Sequence, residues 1–175
     1  MSVQGNEIEQ RLVIKAKHGD VSAFSKLYSQ IYKDLYRFAL YMMKHPQDAE
    51  DAVSEAVVAA YENIEYLKKE ESFKSWMFTI VSRECKRILR KRKTDLDYMT
   101  DEEMAQIFEK EPDRAEQYDV RKAFEALEEE DRTIIAFSVF GGYKSEEIAT
   151  MMGKNPATVR SRKCRALEKM KVMLD

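Results

Sequence analysis

Residues 144–174 read KSEEIATMMGKNPATVRSRKCRALEKMKVML, and this stretch decides the fold. Ser145 is a natural cap for a short helix over 146–152, and Gly153 stands where a left-handed residue ends such a helix. Asn155 then caps, and Pro156 starts, a second helix whose pattern continues to Leu174. A short helix, a glycine turn and a basic helix make the layout of a helix-turn-helix. On the second helix Val159, Ala166, Met170 and Leu174 share the inward face. Thr158, Ser161 and Arg165 share the outward face, with Cys164 at its edge and Arg160 and Arg162 on its flanks. Small polar side chains fit a major groove, an arginine reaches a guanine edge, and flanking arginines meet phosphates. Lys163 projects toward the inward face, where its stem packs and its amine escapes.

The upstream chain is also helical. A first helix spans about 6–17 and stops at Gly19, and Asp20 caps the next. In that second helix Phe24, Leu27, Tyr28, Ile31, Leu35, Phe38, Ala39 and Met42 draw one apolar stripe. Its tyrosines Tyr28, Tyr32, Tyr36 and Tyr41 suit core and core-edge packing better than a base-stacking platform, since Tyr28 lies in the stripe itself. The His45-Pro46 pair breaks the helix, and a third runs over about 47–67. It buries Ala49, Ala52, Val53, Ala56, Ala60 and Ile64, while Asp51, Glu55, Val58 and Glu62 line its outer face. An exposed Val58 among acids marks that face for a partner. After a loop over 68–72, with Ser72 as cap, a fourth helix spans about 73–93. It turns Phe73, Trp76, Met77, Ile80, Val81 and Ile88 inward and groups Thr79, Arg83, Lys86 and Arg90 on the far face.

Charge is segregated along the chain. Residues 83–93 carry seven bases and one acid, residues 154–171 again seven bases and one acid, and residues 95–130 fourteen acids and four bases. The whole chain has a net charge of −2, yet it presents two basic surfaces joined by an acidic segment. A basic helical face anchored by Trp76 and Phe73 points to phosphate binding. Residues 94–112 read as an acidic linker, with a short helical turn at 104–108. Order returns near Asp113, with one helix around Ala115, Tyr118, Ala123, Phe124 and Leu127 and another over 133–140, ended by Gly141-Gly142.

Several classes are excluded. Five Gly and three Pro argue against a β sandwich or barrel. No apolar run is long enough to span a membrane, and residues 1–10 lack the basic start and apolar stretch of a signal peptide, so we expect a cytoplasmic chain without membrane insertion. Cys85 and Cys164 stand alone and His18 and His45 are the only histidines, too few for a structural zinc site. We expect neither metal nor cofactor. No nucleophile–base pair or glycine-rich phosphate loop is present, so the chain reads as a binding protein and not an enzyme.

Two stretches together resemble the extracytoplasmic-function group of sigma factors. The first, residues 19–93, holds DAEDAVSEAVVAAY and FKSWMFTIVSRECKRILRKRK; the second, residues 120–174, holds ALEEEDRTIIAFSVFGGYKSEEIATMMGKNPATVRSRKCRALEKM. The resemblance implies an all-α chain of two small domains: a region-two domain over 1–93, the acidic linker over 94–112, and a region-four helix-turn-helix domain over 113–175. It also implies that Asp51, Ser54 and Glu55 grip core RNA polymerase. The loop over 67–72 and the helix after it, with Arg87 beside the basic face, would open the minus-ten promoter box and hold a flipped base. The last helix would read the minus-thirty-five box, with Arg160, Ser161, Arg162, Cys164 and Arg165 at the family's DNA-contact positions. A separate anti-sigma factor is a further expected partner. Departures from the family's pattern are Ser54 for a usual Gln, Arg83 and Arg87 for Asn and Asp, and Lys163 for an apolar residue. The competing reading is a stand-alone helix-turn-helix regulator, which explains the last helix but not the basic fourth one.

Overall fold

A computed structural model of the chain describes residues 3–94 and 115–174, and every regular element among them is helical. The first half comprises α1 (Val3–Lys17), α2 (Val21–Met43), α3 (Pro46–Asn63) and α4 (Phe73–Thr94). The second half comprises α5 (Ala115–Glu125), α6 (Glu129–Phe140), α7 (Ser145–Met152) and α8 (Pro156–Leu174). The linker turn expected at 104–108 lies outside the described residues.

Local chemistry sets most of the boundaries. The Asp20 carboxylate accepts from the Ala23 amide at 3.0 Å and so caps α2. That helix ends at Lys44, whose φ of 63° is left-handed, and Pro46 opens α3 in the first turn, where it needs no amide. The third helix is shorter than its pattern suggests. It stops at Asn63, whose side-chain amide donates back to the Ala59 carbonyl at 2.8 Å, and a 3-10 turn, Ile64–Tyr66, follows. A second such turn, Glu70–Ser72, runs directly into α4 at Phe73.

In the second half, α6 starts at Glu129, four residues before the expected 133. Its first turn carries Glu129, Glu130 and Asp131, whose charges favour the positive end of a helix. Ser145 is the first residue of α7 and not its cap. There the Glu147 carboxylate reaches back to accept from the Lys144 amide at 2.7 Å, satisfying that donor without Ser145. Gly153 has a φ of 63° as the turn requires, and Asn155 caps α8 by accepting from the Ala157 amide at 2.8 Å. Gly141 is needed for a different reason: a Cβ there would run into the Tyr143 ring and the Phe137 carbonyl.

The two halves share one hydrophobic core. Helix α2 lies at its centre, with α1, α3 and α4 packed around it on one side and α6 on the other. Phe38 of α2 stacks on Phe137 of α6 with centroids 5.1 Å apart, and Phe78 of α4 meets Tyr143 edge-on at 5.7 Å. Phe78 and Cys85, which lie outside the inward stripe expected for α4, are both fully buried. Phe78 is covered partly by residues some sixty positions away in the chain.

Candidate nucleic-acid interface

Three surfaces carry the residues singled out from the sequence. On α3, Asp51, Ser54 and Glu55 are exposed, and Val58 beside them is 57% exposed. The reverse face is closed against α2 and α4 by Ala49, Ala52, Val53, Ala56 and Ala60. Small residues there let the helices approach, which leaves the acids no course but outward. Buried Asp48, at the start of α3, holds Arg92 of α4 through two contacts of 2.6 Å and ties the two helices together.

On α4 the expected face is real, but its members differ. Arg83, Arg87 and Arg90 are exposed, while Thr79 and Lys86 are half-buried. The Thr79 hydroxyl donates to the Ser75 carbonyl at 2.9 Å, so it is turned back on its own helix. Arg87 donates to Glu84 at 2.6 Å and lies 3.9 Å from Glu55, so a base of this face touches an acid of the α3 face. Among the described residues, Arg83, Lys86 and Arg90 form no ion pair within 4.0 Å.

The loop before α4 is braced from α1. Lys17 donates from Nζ to the Leu67 carbonyl at 2.8 Å and to Glu70 at 3.2 Å. A hydrogen bond from its own backbone amide, and then Lys17, hold the Glu70 carboxyl below the usual carboxylate range. Lys68 and Lys69 are left exposed between the two anchor points.

On α8, Thr158, Arg160, Ser161, Cys164 and Arg165 are exposed, on the side away from buried Val159 and Ala166. Much of this helix's charge is already engaged. Arg162 is half-buried and meets Asp131 at 2.7 Å, Glu128 at 3.2 Å and Glu130 at 3.6 Å. Lys154 pairs with Glu130 at 3.1 Å, and Arg160 pairs loosely with Glu146 at 3.4 Å. Lys163 is half-buried and donates to the Ser138 hydroxyl at 2.6 Å, so its amine is held by a partner. Among the described residues Arg165 meets the Ser161 carbonyl, at 3.4 Å, and no carboxylate. The network around Arg162 does not show in a helical pattern, because its acids stand at the start of α6, two helices upstream; their crowding at 128–131 is the available signal.

A cleft of about 530 Å³ separates α4 from the second half. Thr79, Arg83 and Lys86 line one wall, and Glu129, Glu130 and Lys154 line the other. Among the described residues no cluster of side chains could hold a metal ion, and no helix is long and apolar enough to cross a membrane.

Comparison with known proteins matches this arrangement. Residues 27–94 match the family model of Sigma-70 region 2, and residues 117–170 match that of Sigma-70, region 4. The RNA polymerase sigma factor SigV of Bacillus subtilis is 34% identical over 81% of this chain and 85% of its own length. The RNA polymerase sigma-H factor of Pseudomonas aeruginosa is 29% identical over 93% of this chain and 91% of its own. The fold resembles that of CnrH, solved in complex with the cytosolic domain of CnrY: the TM-score is 0.75 at 21% identity, over 96% of this chain and 97% of that one. It also resembles the sigma factor RpoE of Bartonella quintana, solved with the anti-sigma factor NepR: the TM-score is 0.71 at 24% identity, over 88% of this chain and 98% of that one.

Proposed function

This chain belongs to the sigma-70 family, in its extracytoplasmic-function group, and on that premise we propose how its surfaces divide the work of a sigma factor. The protein binds core RNA polymerase and directs promoter-specific transcription initiation. The outward face of α3, with Asp51, Ser54 and Glu55, takes the polymerase clamp. Its support is two carboxylates beside an exposed valine, on a helix whose other side is fully packed. The basic face of α4 holds the DNA backbone at the minus-ten box, with Arg83, Lys86 and Arg90 as charges that form no ion pair among the described residues and Thr79 and Arg87 beside them. The braced loop over 67–72 captures the unstacked base; unstacking costs a few kcal/mol and is easier where the strand is already open.

The last helix reads the minus-thirty-five box. Thr158, Ser161, Cys164 and Arg165 face the major groove, and Arg160 and Arg162 flank it. Arg162 acts from within its acid cluster and orients α8 more than it neutralises phosphate. The working units are a region-two domain over 1–93, a linker over 94–112 and a region-four domain over 113–175. Sigma factors are non-catalytic initiation factors, and we read this chain as having no enzymatic activity of its own. Its place is the cytoplasm, with core polymerase and promoter DNA, and a separate anti-sigma factor restrains it.

The observation that carries this reading is the pairing of two basic helices with a separate acidic helical face on one chain. Run-off transcription with purified core polymerase on genomic fragments tests it. Start sites that share one upstream element, and appear only when the chain is added, are the expected result. Tight, sequence-specific duplex binding by the chain alone, with no transcript, would make it a stand-alone regulator. Asp51→Arg with Glu55→Arg tests the polymerase face: core affinity should fall while helicity stays intact, and unchanged affinity would rule out this surface.

A further inference from the structure

Among the described side chains, Tyr66 is the aromatic residue whose ring pairs with no other ring, and it is 72% exposed. The rings nearest to it in the chain are engaged with one another. Tyr61 meets Phe24 with centroids 5.3 Å apart, Phe24 meets Phe73 at 6.1 Å, and Phe73 meets Trp76 at 6.3 Å. The backbone that presents Tyr66 is nevertheless fixed on both sides. Tyr66 closes the 3-10 turn Ile64–Tyr66, between buried Ile64 and buried Leu67. The Leu67 amide donates to the Ile64 carbonyl at 3.1 Å, and the Leu67 carbonyl accepts from Lys17 Nζ at 2.8 Å. An isolated aromatic on a surface is ordinary. One held out in solvent on a turn pinned by a lysine fifty positions away is preorganised, because part of the ordering cost of binding is met before a ligand arrives. Charge does not supply the grip at this place. Residues 65–71 hold two lysines against three glutamates, so the segment is no polycation. A flat neutral ring takes a base by its face, and every base has such a face. The segment then runs directly into α4 at Phe73, so the ring stands at the entry to the basic helix.

We propose that Tyr66 is the platform on which the unstacked minus-ten base stacks, and that Lys17 is the residue that positions it. The inference rests on the assignment of the adjoining loop to base capture. Tyr66 lies just outside that loop, and its ring adds an apolar face to a stretch that otherwise offers lysines and glutamates to solvent. Lys17 acts through the Leu67 carbonyl and does not touch DNA, so α1 enters promoter opening as a support for the ring.

The test titrates holoenzyme with forked DNA whose non-template strand carries a minus-ten element mapped by run-off transcription. Each base of that element is removed in turn, as an abasic site. Wild-type protein should lose about tenfold in affinity at one position. Tyr66→Ala should lose about the same factor on the intact strand and nothing further at that position, while Tyr66→Phe and Tyr66→Trp should bind as wild type. The ring is exposed and neutral, so Tyr66→Ala should leave thermal unfolding, core affinity and the salt slope unchanged. Lys17→Met should lose part of the same factor without adding to the Tyr66→Ala loss, and Lys17→Arg, which keeps a donor, should bind as wild type. A position as sensitive in Tyr66→Ala as in wild type overturns the platform and leaves base capture by the loop standing. A Tyr66→Ala defect that appears in core affinity also overturns it, and makes the ring a polymerase contact. Losses from Lys17→Met and Tyr66→Ala that simply add overturn the positioning role. Wild-type holoenzyme that loses nothing at any abasic position refutes base capture itself, and the platform with it.

Discussion

Helices α4 and α8 carry the same excess of base, +6 over residues 83–93 and +6 over residues 154–171, yet they use it differently. On α4 Arg87 pairs with Glu84 and Arg92 with Asp48, and Arg83, Lys86 and Arg90 are left without an ion pair among the described residues. At α8 the acids of α6 hold Arg162 and, just before the helix, Lys154, Glu146 holds Arg160, and on the outward face Arg165 has no carboxylate partner among the described residues. Formal charge therefore overstates what α8 offers a polyanion. Helix α4 works as a stripe of free charge, suited to a backbone, and α8 as a single arginine among small polar groups, suited to a base edge.

The largest effect should come from emptying the α4 stripe. Arg83→Ala, Lys86→Ala and Arg90→Ala together should lower holoenzyme affinity for every promoter roughly a hundredfold and reduce the salt slope by about two to three units. Equal loss from removing three bases of α8 would erase the contrast between the helices. Next comes Arg165→Ala, which should cost roughly 1–3 kcal/mol on the cognate promoter and relax discrimination at one base pair. A panel of single-base promoter variants at several salt concentrations reads this out. Uniform loss across the panel would turn Arg165 into a phosphate contact and make α8 resemble α4 after all.

Smaller still is Arg162→Ala. Its acid partners lie within its own half, so the variant should lose about 1 kcal/mol of folding stability in urea melts and leave the salt slope of promoter binding nearly unchanged. A slope reduced by a full unit would show that Arg162 reaches phosphate despite its carboxylates. The last contrast is chemical. Burial pushes the Cys85 thiol of α4 up to about 12, while Cys164 of α8 is exposed. The thiolate is the reactive form, so at pH 8 a raised pKa leaves Cys85 almost wholly protonated. Iodoacetamide followed by mass spectrometry should therefore modify Cys164 alone in the folded protein. Rapid modification of Cys85 would mean that the core behind α4 opens far more often than its packing implies.

Much of this molecule was legible from local pattern. Asp20, Pro46, Gly153 and Asn155 mark their helix ends through bonds made within a turn or two, and the structure places each where its chemistry demands. The α3 stripe and the exposed Val58 followed from a period of 3.6 residues against one packed side. Less legible were starts and stops set by competing short-range bonds. Glu147 displaced Ser145 as the closing group of α7, and a 3-10 turn took the residues expected to prolong α3.

What the sequence determined by itself, then, was the set of helices, their caps and the faces each offers, because those depend on neighbours within about one turn of chain. Tertiary structure alone decided which of those faces are free. The burial of Phe78, the capture of Arg162 by Asp131 and the cleft that sets Glu129 and Glu130 opposite Arg83 all join residues about thirty to sixty positions apart. A helical wheel records direction around one axis; it carries no information about what another helix brings to that direction, and for charge and aromatic burial that neighbour is what counts.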